Sequence, residues 1–139
     1  MLIGCGKSGE PVTVGQGVTA SAQAKRYKIA VCIPAADHGW TAGVKYWAEE
    51  AKKLYPSCDV DIQTSADPTK QIADIESMMS KGYDAFVILA TESAPLTPTA
   101  KAIHDRGIFL VNVDRGFLEP VADVFLEGDN VSFGRKSAQ

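Results

Sequence analysis

A doubly wound α/β domain built on a parallel sheet is the fold class this sequence predicts, and three observations predict it. Short runs of β character alternate with helical patterns. The helical patterns have the length of a crossover between parallel strands, roughly ten to fifteen residues. The runs are apolar almost throughout, as in strands covered on both faces.

The elements follow in order along the chain. Residues 28–34 (KIAVCIP) are the first strand. Val44, Trp47, Ala48, Ala51 and Leu54 then recur at three- and four-residue spacing, which predicts a helix with one apolar face, ended by Pro56. Residues 59–64 (DVDIQT) are a short second strand. Asp67-Pro68 supplies an N-cap and a first-turn proline for a second helix, lined by Ile72, Ile75, Met78 and Met79 and closed by Gly82. Residues 84–90 (DAFVILA) are the third strand. Thr97-Pro98 opens a third helix that Gly107 closes, residues 108–113 (IFLVNV) are the fourth strand, and 124–126 (VFL) suit a fifth. The folded lobe therefore spans 28–139.

A length of 139 residues fits one domain with a sizeable core. Charged residues make up 22% of the chain and the net charge is −3, so nothing electrostatic points to nucleic acid as a partner. No stretch approaches the ~20 apolar residues of a membrane-spanning helix.

Cys5, Cys32 and Cys58 are odd in number and lack metal-ligand spacing, so neither a disulfide framework nor a metal site is expected. Cys32 lies within an apolar run and reads as a small core residue. Cys5 closes Leu2-Ile3-Gly4-Cys5, which resembles a bacterial lipobox, so residues 1–5 read as the remnant of a lipoprotein signal and Cys5 as its lipidation site. Residues 6–27, rich in Gly, Ser, Ala, Gln and Thr, read as a flexible tether. Two phosphate-loop imitations occur there. Gly6-Lys7-Ser8 has no strand before it, and Gly15-Gln16-Gly17-Val18-Thr19-Ala20 has no amphipathic helix after it.

In doubly wound sheets ligands bind beyond the carboxyl ends of the strands, where the strand order reverses. Asp37-His38-Gly39-Trp40-Thr41 follows the first strand, Thr91-Glu92-Ser93 the third, Asp114-Arg115 the fourth and Asp129-Asn130 the fifth. Polar, charged and aromatic side chains thus collect at one rim. A carboxylate accepts from neighbouring hydroxyls and a guanidinium donates a rigid fork, so Asp114 and Arg115 together suit a vicinal diol, although Asp114 would also suit pairing with Arg115 or another charge for structure alone. Trp40 offers a flat apolar face for the C–H side of a sugar ring, although packing between the first helix and the sheet would suit it too. His38 suits either a polar contact or a cap on the first helix, Glu92-Ser93 equally suits a helix start, and His104 reads as a solvated or capping residue. No nucleophile with its base, acid–base pair or cofactor fingerprint is visible, which argues against an enzyme.

These segments resemble the amino-terminal lobe of the type I periplasmic sugar-binding proteins, the ribose-binding-like receptors of ABC importers. The resemblance covers 28–139 and rests on the KIAVCIP strand with its D-H-G-W-T loop, the D-P-T-K-Q helix start, K-G-Y-D-A-F-V-I-L-A, and V-D-R followed by G-D-N. It implies sugar binding through Asp37, His38, Trp40, Asp114 and Arg115, with Trp40 stacking and the Asp-Arg pair gripping hydroxyls. Gly39-Trp40-Thr41 stands where the ribose-binding pattern carries a proline and two aromatics, so one stacking face is expected to be missing. The family has two similar lobes, and this chain corresponds to an incomplete first one. What the resemblance implies is an extracytoplasmic receptor, monomeric when full length, that captures a monosaccharide or polyol and delivers it to an ABC permease. Such a receptor needs no cofactor and would meet the membrane through a lipid on Cys5. The other reading is the effector domain of a LacI-type regulator, which requires a helix-turn-helix segment that residues 6–25 do not suggest.

Overall fold

The computed structural model describes residues 25–139. Cys5 and most of the 6–27 segment lie outside the described residues. The elements run β1 (Tyr27–Pro34), α1 (Gly39–Leu54), β2 (Cys58–Ser65), α2 (Pro68–Met79), β3 (Ala85–Ile88), α3 (Ser93–Asp105), β4 (Phe109–Val113), β5 (Val124–Leu126) and α4 (Asn130–Ser137). All five strands are parallel, in the order β2-β1-β3-β4-β5. The order reverses between β1 and β3, as a doubly wound sheet requires.

Alternate residues of each strand feed two cores. Ala30, Cys32, Phe86, Ile88 and Leu110 face α2 and α3, where Ile75, Met78, Met79, Leu96, Ala100 and Ile103 complete a fully enclosed layer. Val31, Ile33, Val60 and Leu89 face the other way and pack with Val44 and Ala48 of α1. Gly82 and Gly107 follow α2 and α3 with φ of 72° and 68°, the left-handed conformation that lets a helix end abruptly.

Three expectations are corrected. The lobe begins before residue 28: Tyr27 is already in register with Cys58, while Lys25 and Arg26 pair with Asp84 and Asp59, so residues 25–27 belong to the fold and not to a tether. The third helix begins at Ser93, and Pro98 lies inside it. Proline removes one helical N–H and crowds the carbonyl four residues before it, and the Thr97 hydroxyl donates to the Ser93 carbonyl at 2.8 Å beside that gap. Trp47 and Leu54 do not belong to the buried face of α1, being 69% and 73% exposed. At 3.6 residues per turn they sit roughly 60–80° to one side of Val44, and that offset is enough to carry them off the sheet.

Candidate functional site

Four strand ends build a cleft of about 340 Å³ at the switch point. Pro34, Ala35, Asp37, His38, Trp40 and Thr41 come from the end of β1 and the start of α1. The turn from β2 into α2 gives Ala66, Asp67 and Pro68; Thr91 and Glu92 follow β3, and Asp114 and Arg115 follow β4. All five side chains expected to meet a ligand therefore line one space. A groove of about 600 Å³ runs along the outer edge of β2, lined by Glu49, Lys52, Asp61, Asp74, Lys81 and Tyr83. It lies away from the strand ends, and two of its carboxylates are already engaged, Asp74 by Lys70 and Asp61 by Tyr83 donating to it at 2.5 Å.

At the β1 end, Asp37 and His38 are joined by a 2.7 Å hydrogen bond between Oδ1 and Nδ1. That bond holds the Asp37 carboxyl below the usual carboxylate range. His38 occupies the N-cap position of α1, but its side chain makes no capping bond and turns to Asp37 instead. Trp40 is 58% exposed, which argues against packing between helix and sheet, and it lines the cleft.

At the β4 end the backbone itself is unusual. Asp114 has φ 62°, and the Arg115 N–H donates to the Val113 carbonyl at 2.7 Å, so the two flanking residues close a tight three-residue turn around it. The Asp114 N–H donates to Leu126 at 2.6 Å and ties the turn to β5. Buried Asn112 donates to the carbonyls of Ile88 at 3.1 Å and Arg115 at 2.9 Å. From Nη1, Arg115 donates to the Ala90 carbonyl at 2.9 Å and also to that of Thr91. The backbone at Asp114 and the guanidinium of Arg115 are thus both tied to neighbouring backbone groups.

Asp129 does not join them. It caps α4 by accepting from the Ser132 N–H at 2.8 Å, and the cleft lining does not include it. Glu92 caps α3 by position and also lines the cleft, while His104 sits exposed in the last turn of α3. Sequence reasoning missed Gln71 and Asn112, the two buried amides that brace the strand ends. Gln71 was discernible in principle, since it stands one turn before Ile75 on the buried stripe of α2.

Residues 29–139 match the family described as periplasmic binding protein domain. The ribose import binding protein RbsB of Bacillus subtilis is 22% identical over 118 residues, covering 85% of this chain and 39% of its own length. The D-ribose/D-allose-binding protein of Pseudomonas aeruginosa is 33% identical over 75 residues, 54% of this chain and 24% of that protein. Among solved structures, the fructose-binding periplasmic domain of the hybrid two-component system BT1754 superimposes with a TM-score of 0.73 at 27% identity, over 81% of this chain and 37% of that one. The chain thus spans well under half the length of the relatives it matches. With the parallel sheet, its switch point and the family match over nearly all the described residues in agreement, the chain belongs to the periplasmic binding protein family.

Proposed function

We propose that this lobe captures a monosaccharide or polyol outside the cytoplasm for delivery to an ABC importer. The observation that carries the reading is the convergence of Asp37, His38, Trp40, Asp114 and Arg115 on one cleft at the switch point. In it, the Asp114 carboxylate accepts from ring hydroxyls, the Arg115 fork donates to hydroxyl or ring oxygens, and Trp40 covers the apolar face of the ring. A volume of 340 Å³ suits a single sugar ring. The relatives named for ribose, allose and fructose support the ligand class.

Closure of a second lobe over the cleft would bury the rest of the ligand by hinge motion. Lipidation of Cys5 would hold the receptor at the outer face of the membrane; incorporation of labelled palmitate into the protein, abolished by Cys5→Ser, tests it. A sensory role for the same capture step is the second reading, favoured by the hybrid two-component system among the similar structures.

The deciding experiment titrates the protein with D-ribose, D-allose, D-fructose and myo-inositol by calorimetry, and follows uptake of the sugar that binds in cells lacking the gene. Saturable binding together with lost uptake supports an importer receptor. Binding with intact uptake and lost sugar-dependent transcription supports the sensor, and absence of binding across the panel overturns the sugar reading.

A further inference from the structure

Gln71 is a fully buried polar residue in a position that α2 would ordinarily give to an apolar one. Every hydrogen-bonding capacity of its amide is used. Nε2 donates to the Leu89 carbonyl at 2.9 Å and lies 3.4 Å from that of Cys32. Oε1 accepts from the Thr91 N–H at 2.8 Å and from the Thr91 hydroxyl at 2.9 Å. The amide therefore sits where β1 and β3 part at the switch point, and it satisfies backbone groups just past the end of the β3 ladder.

A second side chain holds the same short segment. Arg115 donates to the carbonyls of Ala90 and Thr91, so Leu89, Ala90 and Thr91 are clamped between a buried amide and a cleft-lining guanidinium. The two side chains use different atoms of the segment, and Thr91 is common to both. We propose that Gln71, which touches no ligand itself, is a positioning residue for the cleft: it fixes Leu89–Thr91 and through those carbonyls sets the orientation of Arg115. The consequence for binding rests on the sugar-capture reading; the mechanical coupling between Gln71 and Arg115 does not.

The test measures that coupling directly. In the ¹⁵N-labelled protein, the Arg115 Nε–Hε resonance is recorded for the parent, for Gln71→Met, and for Ile75→Val, which trims the same helix face and spares the polar contacts. The expected result is a shift and broadening of the Arg115 signal in Gln71→Met alone. In a sugar titration, that variant should bind about tenfold more weakly, and its effect should fail to add to that of Arg115→Lys. A folded Gln71→Met protein with an unchanged Arg115 signal overturns the proposal.

Should Gln71→Met fail to fold, amide exchange of Thr91 in the parent decides. Protection comparable to the β3 core supports the clamp, and exchange as fast as in open loops overturns it. An Arg115 signal that responds to Gln71→Met in a protein that binds no sugar of the panel leaves the clamp standing and removes only the ligand assignment.

Discussion

Arg115 donates from Nη1 to the Ala90 carbonyl at 2.9 Å, so the cation of the cleft is anchored to the segment just past β3, well before it in sequence. A lysine in its place keeps the charge and loses the fork. Arg115→Lys is therefore expected to weaken sugar binding at least tenfold and to lower the unfolding free energy by about 1 kcal/mol. Calorimetry and urea denaturation on the same preparation separate the two effects.

Asp114 calls for a choice of substitution that respects its backbone. At φ 62° an alanine would be strained by roughly 1–2 kcal/mol, whereas asparagine adopts this region readily. Asp114→Asn should unfold within about 0.5 kcal/mol of the parent yet bind sugar about 10–100-fold more weakly, because a charge-assisted acceptor is lost. Asp114→Ala should show both defects. Equal affinity in the asparagine variant would remove the carboxylate from the site.

The two tryptophans can be separated by position. Trp40 lines the cleft, and Trp47 is 69% exposed on α1 with its ring edge against Tyr46. In Trp47→Phe protein the remaining emission should shift or quench on addition of sugar, and Trp40→Phe should abolish the response of the parent. A response that survives loss of Trp40 would place the ligand elsewhere.

Acid should loosen the first strand. Asp84 accepts from Lys25 Nζ at 2.8 Å and from the Lys28 N–H at 2.9 Å, and these bonds hold its carboxyl below the usual range. Asp59 is lowered in the same way, chiefly by Arg26. A carboxyl depressed in the folded state adds stability above its unfolded pKa of about 4 and loses it as pH falls through the folded value. Urea denaturation from about pH 6 down to pH 3 should show stability declining below pH 4, with a shallower decline in Asp84→Asn.

The strand-helix order, all five strands and the rim residues other than Asp129 were legible because each rests on a local signal. An apolar run marks a strand, Asp67-Pro68 marks a helix start, and carboxyl ends of parallel strands share a rim whatever the side chains are. What was not legible depends on long-range partners. Thr97-Pro98 looks like a helix start in isolation, and only the packing of Leu96 against the α2 layer fixes the earlier one at Ser93. Trp47 shares the spacing of Val44 but not its direction onto the sheet. The place of Gln71 on the buried stripe of α2 follows from spacing, but its role depends on Leu89 and Thr91, 18 and 20 positions later.

The central place of β1 in the sheet has a consequence for biogenesis. Its two neighbours are made later, and Ile29 must wait for Ala85 before the β1–β3 ladder can form. At a synthesis rate of 5–20 residues per second, an almost wholly apolar strand stays unpaired on that side for roughly 3–11 s. The nascent chain therefore exposes a hydrophobic strand well before the fold can close over it.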